Sequence, residues 1–343
     1  MHASTAARLR VWGDFLTNLR EVGQLHIGIT PWDLGSDHTA DWLGEQGAFA
    51  EALGFDSFFL PENHFTGRGA VPEPLMLLAA VAARTSRILL GTTSLLLPVR
   101  HPIQTAEQVA VLDRLSGGRV LLGLGRGYQP ALYDAFDVSL KDKRRKFDAC
   151  LALMIRAWRG ESVSTREGSV VLSPLPVQQP HPPLWVAAFG PKALAQAGRL
   201  GLPYLASPME SLDVLRTNYA ALAEAAVANA HPVPQVVPVM RSVFVSEDAS
   251  TIARVRVLLD NVPGGGPNSG PNGGVVVRRA DAQLDDWAII GTPAEVRARI
   301  MCYQRDVGMT HLIATRLRVA GMEHATLRRS LALLAEIHRD LQD

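Results

Sequence analysis

A chain of 343 residues with 47% hydrophobic and 20% charged residues has ordinary globular composition, and its length suits two average domains or one large barrel. The formal net charge of +1 removes any electrostatic case for nucleic acid or an anionic membrane surface. The two cysteines, Cys150 and Cys302, stand far apart and form no CxxC pair. That pattern argues for a reducing cytoplasm and against a disulfide framework or a zinc site.

Asp14, Arg20 and Glu21 interrupt the N-terminal stretch, so neither a signal peptide nor a membrane span is expected there. Residues 1–24 read as an extension of a single domain over 25–343. From Leu25 the pattern is strand, loop, helix, repeated. Leu25–Thr30 and Phe55–Leu60 predict the first two strands, with helices over Trp42–Leu53 and Leu75–Arg84. Ile88–Leu97 and Val120–Leu124 are near-continuous apolar runs, the signature of parallel strands buried on both faces. Between them Ile103, Ala106, Val109, Leu112 and Leu115 recur at helical spacing, and Ser116-Gly117-Gly118 supplies the stop.

A helix over Lys141–Arg159 follows, with Phe147, Cys150, Leu151, Met154 and Trp158 on its apolar stripe. Its basic start, KDKRRK, reads as a solvated face. Ser169–Pro183 is proline-rich and irregular, with room for a short hairpin. Pro183–Phe189, Leu202–Ala206, Val237–Val245 and His311–Leu317 predict strands five to eight, each with a helix after it. Gly190-Pro191-Lys192 opens one of these helices with proline at its first position, and Thr292-Pro293-Ala294-Glu295 opens another with a capping box. Asn261–Gly274 is low-complexity Gly/Pro/Asn inside an insertion over 261–287. Eight strands alternating with eight helices predict an α/β fold, a (β/α)8 TIM barrel with a lid insertion before the last βα unit. A doubly wound open sheet is the alternative.

In such a barrel the chemistry sits where strands end. Strand two ends in Glu62-Asn63-His64-Phe65, strand three carries Thr92-Thr93-Ser94, and strand four runs into Gly125-Arg126-Gly127-Tyr128. Strand five runs into Ala188-Phe189-Gly190. Glycines flanking one arginine let main chain approach an anion while a planar cation clamps it. No lysine lies on a strand, which leaves a Schiff-base aldolase without a nucleophile. Only Glu62 stands where a glycosidase needs two carboxylates. His26-Ile27-Gly28 replaces the His-x-His of metal-dependent hydrolases, so no metal is expected. A mouth of arginine, hydroxyls, glycines and one histidine suits a cofactor that does its own chemistry.

The chain resembles the bacterial luciferase-like, flavin-dependent monooxygenases from Leu25 to its C-terminus. The carrying motifs are FDSFFLPENHF at 55–65, GTTSLLLPVRHPIQTAEQVAVLDRLSGGR at 91–119, LGLGRG at 122–127 and GTPAEVRARI at 291–300. The resemblance implies that Arg126 holds the phosphate of FMN between Gly125 and Gly127. Ala188, Phe189, Gly190, Pro191 and Lys192 would assist at a helix start. Thr93 and Ser94 would lie under the flavin ring, joined by a non-proline cis peptide. It further implies reduced FMN from a separate flavin reductase, O2 and a small organic substrate as partners, a homodimer, and a lid at 261–287. His64 and Asn63 would serve proton transfer and substrate orientation, with Phe65 and Tyr128 lining the substrate pocket. Luciferases follow the strand-two glutamate with two histidines and carry a cysteine on strand four. Asn63 and Gly125 stand there here, which argues against light emission. Hydride transfer with the deazaflavin F420 and non-catalytic flavin binding are the rival readings. Glu62, Glu107 and His101 read as structural.

Overall fold

The computed structural model describes residues 24–34, 40–260, 283–317 and 321–342. Its strands are β1 (His26–Ile29), β2 (Ser57–Leu60), β3 (Leu89–Leu96), β4 (Val120–Gly125), β5 (Leu184–Ala187), β6 (Tyr204–Leu205), β7 (Pro238–Val245), β8 (Ala288–Gly291) and β9 (His311–Thr315). All nine pair in parallel, in the order β8-β7-β9-β1-β2-β3-β4-β5-β6. The sheet curls until Ala206, just past β6, forms a parallel bridge with Val239 of β7.

The main helices are α1 (Ala40–Leu53), α2 (Pro74–Ala82), α3 (Pro102–Leu115), α4 (Lys143–Trp158), α5 (Pro191–Arg199), α6 (Leu212–Ala228), α7 (Ala249–Asp260), α8 (Pro293–Val307) and α9 (His324–Asp340). None of the described helices is long and apolar enough to cross a membrane.

Alternation along the strands divides the apolar side chains between two layers. Phe58, Leu122 and Val186 join the large core, while their neighbours Phe59, Leu121 and Trp185 meet Leu205 and Ile313 in a separate cluster. A third cluster of Phe244, Val255, Leu284, Trp287, Ile290 and Leu317 packs beside β8. At the N-terminal ends of β1 and β9 the His26 and His311 rings stack, 4.6 Å between centroids and 16° apart. Burial, then the charge of His26, holds His311 well below its ordinary 6.5. Arg119, at the start of β4, donates to the carbonyls of Ala82, Thr85, Ile88 and Ser116 and to Thr85 Oγ1. It fastens the end of α2 to the sheet.

Several local signals hold. Thr292 and Glu295 form a reciprocal capping box, and Pro191 and Pro293 both stand in the first turns of their helices. His101 caps α3 by accepting from the Gln104 N–H. Other expectations need correction. The structure has a ninth strand, Ala288–Gly291, where only the edge of an insertion was expected. A hairpin forms earlier than expected, Val163–Thr165 with Gly168–Val170, and the stretch after it holds cis Ser173–Pro174 and Gln179–Pro180. Leu115 ends α3 exposed and outside the buried stripe. Residues 1–23 of the expected extension and 261–282 of the expected lid lie outside the described residues.

Candidate functional site

β4 delivers Arg126 at its exit. Gly127 turns the chain with φ +68, and the Tyr133 hydroxyl donates to the Arg126 carbonyl. The Arg126 guanidinium is buried, at 8% exposure, and reaches across to β5, donating from Nη2 to Ala187 O at 2.7 Å. Its Nη1 donates to Gln196 Oε1 on α5, and the group lies 5.6 Å from the Phe147 ring centroid. Burial pushes its pKa down to about 10, with the like charge of Arg144 adding to that. Lys143 is lowered too, by burial and then by Arg144 and Arg126. Like charge therefore adds to burial at both Arg126 and Lys143, a condition that a bound anion would relieve.

The start of α5 adds to this. Gly190 sits at φ +72 with open space where a Cβ would be, and Pro191 follows at the first helical position. Ala193 and Leu194 donate back to the Gly190 carbonyl. A helix start carries unsatisfied N–H groups and a partial positive charge, both suited to a phosphate. Ala188 is buried, Phe189 is exposed, and Pro191 and Lys192 face solvent.

On β3 the Thr93–Ser94 peptide is cis, as the resemblance implied. Thr92 anchors this stretch by donating to Gly123 O at 2.8 Å. Thr93 Oγ1 is buried and has no hydrogen-bond partner among the described residues. Ser94 lies against Gly125. A Cβ added at Gly125 would overlap Ser94 Oγ, stand 2.9 Å from Ser94 Cβ and 3.2 Å from Leu96 Cδ2. The bare main chain at 125 is thus what admits the Ser94 side chain. An orphaned hydroxyl, a buried arginine and a glycine-opened helix start fit a phosphate-bearing flavin.

The strand-two residues form a different group. His64 is buried and its Nε2 lies 2.9 Å from Glu62 Oε1. Glu62 is a hub: Oε2 accepts the Leu96 N–H at 2.8 Å, and Arg100 pairs with the carboxylate at 2.9 Å and with Glu73 at 3.3 Å. His64, Glu62, Arg100, Gln104, Gln108 and Phe136 are among the residues around a cavity of about 160 Å³. Thr93, Ser94 and Arg126 do not line it. Asn63 turns its Oδ1 into its own loop, accepting from Thr66 Oγ1 and the Val71 N–H, both at 2.9 Å. Phe65 is 66% exposed at φ +59, and Tyr128 is half-buried.

The structure therefore gathers Arg126 with β5 and α5, and Ser94 with Gly125, but places His64 and Asn63 in a neighbouring polar group. Sequence reading missed Gln196 and Asp148, while the solvated face read for KDKRRK holds, with Lys141, Arg144 and Arg145 exposed.

The sequence model of the luciferase-like monooxygenase family matches residues 26–311, and the chain belongs to that family. The oxygenating constituent of 3,6-diketocamphane monooxygenase of Pseudomonas putida, a type II Baeyer–Villiger enzyme solved with FMN, superposes with a TM-score of 0.76 at 19% identity. That likeness covers 91% of this chain and 97% of that one. The monooxygenase RslO1 of Streptomyces bottropensis gives a TM-score of 0.73 at 25% identity, over 91% and 98% of the two chains. Among curated proteins, the F420-dependent glucose-6-phosphate dehydrogenase of Beutenbergia cavernae is 36% identical over 196 residues, 52% of this chain and 56% of that protein. The chain spans about half the length of the curated relatives it matches.

Proposed function

We propose that this chain is the oxygenase of a two-component flavin-dependent monooxygenase. It would use reduced FMN from a separate reductase and O2 to oxygenate a small organic substrate. The observation that carries the reading is Arg126: a buried guanidinium bonded to neutral acceptors, beside Lys143, Arg144 and the Gly190–Lys192 helix start. When bound, reduced FMN supplies the electrons that activate O2 for insertion into the substrate. Arg126 and the first turn of α5 would hold the phosphate. Thr93 and Ser94 would present hydroxyls to the ring, and Gly125 would keep the space above β4 clear for Ser94.

In this reading the curled sheet is a closed (β/α)8 barrel. His64 handles protons, with its Nε2 held 2.9 Å from Glu62 Oε1. Asn63, Phe65 and Tyr128 belong to the substrate side. A homodimer and a cytoplasmic setting complete the proposal, the latter supported by two free cysteines.

A second reading, hydride transfer with F420, is favoured by the Beutenbergia relative. Titration with reduced FMN and with F420, read by fluorescence, separates the two. Saturation by FMN with Arg126→Ala weakening it by about tenfold or more supports the oxygenase. Tight F420 binding with no measurable FMN binding would overturn it.

A further inference from the structure

Buried arginines in this fold usually use up their donors. Arg119 makes five hydrogen bonds, to four carbonyls and one hydroxyl, and Arg241 makes four. Arg100 is neutralised by two carboxylates. Arg126 differs from all three. Among the described residues its two hydrogen bonds go to an amide oxygen and a main-chain carbonyl, leaving three of the guanidinium's five N–H donors without a partner there. Among the described residues no carboxylate pairs with it directly.

What holds it in that state is Gln196, itself buried in α5. The orientation of this amide is fixed by chemistry. Arginine can only donate, so Gln196 Oε1 faces Arg126; ionised aspartate can only accept, so Nε2 donates to Asp148 Oδ1, at 2.7 Å. Asp148 Oδ2 in turn takes Arg199 Nη2 at 2.7 Å. A neutral amide thus stands between Arg126 and the nearest carboxylate, whose charge is already met by Arg199. Gln196 transmits orientation without transmitting charge. It also sits on the helix whose start is Gly190–Lys192, so the arginine and the helix N-terminus are held in one frame.

We propose that Gln196, oriented by Asp148 and Arg199, is a positioning residue that aims Arg126 at a dianionic phosphate monoester and keeps its positive charge available. The inference rests on the flavin-phosphate reading above and adds the selection of phosphorylated over unphosphorylated cofactor. A glutamate at 196 would pair with Arg126 and cancel that selection, whereas leucine would only free the guanidinium to wander.

The test is equilibrium titration of the full chain with FMN and with riboflavin, which has the same ring and no phosphate, followed by flavin fluorescence. Thermal melting confirms folding. The wild-type chain should prefer FMN. Gln196→Leu should lower that preference by about tenfold and Gln196→Glu by more, with riboflavin affinity unchanged in both. Asp148→Asn, half in solvent and conservative in shape, gives the same readout in the same direction should Gln196→Leu fail to fold. Equal weakening of both flavins would mean a merely structural amide and overturn the proposal, as would an unchanged preference in Gln196→Glu. A wild-type chain that binds riboflavin as well as FMN would instead sink the phosphate reading itself, and this inference with it.

Discussion

Replacing Gly125 by alanine adds one carbon at the most crowded point of the candidate ring floor. The new Cβ would overlap Ser94 Oγ, a short side chain that can rotate away. It would also stand 2.9 Å from Ser94 Cβ, an atom fixed to the main chain, and 3.2 Å from Leu96 Cδ2. Rotation therefore removes one clash only, and β3 and β4 must shift apart locally. Overpacking of this kind costs about 1–3 kcal/mol, so Gly125→Ala should lower the urea midpoint accordingly. Ser94→Ala removes the hydroxyl and should be close to neutral alone. The Gly125→Ala/Ser94→Ala double variant should recover about half of the loss, because the Cβ–Cβ approach persists. The assay is a double-mutant cycle by urea denaturation, repeated with FMN affinity as the readout. A single Gly125→Ala variant as stable as wild type, or strictly additive effects in the cycle, would show that the two residues do not share the space assigned to them.

Arg119→Met should destabilise the chain by about 3–5 kcal/mol in urea, since it strands the Ala82, Thr85, Ile88 and Ser116 carbonyls at once; a loss below about 1 kcal/mol would refute its role as a fastening between α2 and the sheet. His311 is buried and held neutral, so its folded pKa lies below the unfolded 6.5. Its contribution is complete above pH 6.5 and is lost as pH falls below it, with a slope of at most about 1.4 kcal/mol per pH unit. The stability of a His311→Phe variant should fall less steeply than wild type between pH 6.5 and 5; parallel curves would mean that His311 protonates freely in the folded chain.

Local rules reached far along this sequence because most elements are short and well punctuated. Thr292-Pro293-Ala294-Glu295 and Gly190-Pro191 mark helix starts by chemistry that needs no tertiary context. Parallel strands such as β3 and β4 announce themselves as near-continuous apolar runs. β8 did not, since Ala288–Gly291 is four residues long and follows the acidic LDDW turn; its strand state is set by pairing with Ser242–Val245. Leu115 kept helical spacing but fell past the last point where α3 meets the core, and periodicity carries no information on where a neighbour stops. At the candidate site, the glycines around Arg126 signalled a tight strand end, and the structure buries the arginine there and packs Ser94 against Gly125. Gln196 gave no such signal. A glutamine within a helix reads as solvated, and only the approach of α5 to β4 turns it inward.

The same distinction bears on His64 and Asn63, the pair assigned to proton transfer and substrate orientation. Both side chains are engaged locally, one with Glu62 and the other with the Thr66–Val71 loop. Yet Glu62 also accepts the Leu96 N–H, and Leu96 Cδ2 borders the space above Gly125. A carboxylate shared by an imidazole, a guanidinium and a main-chain N–H is held in place, because leaving the guanidinium would strand buried charge and leaving the N–H would strand a buried donor. That makes Glu62 the joint between the polar cavity and β3. It also explains why the chain can place an asparagine at 63 without disturbing the strand that carries Thr93 and Ser94: the connection to β3 runs through residue 62, one position earlier.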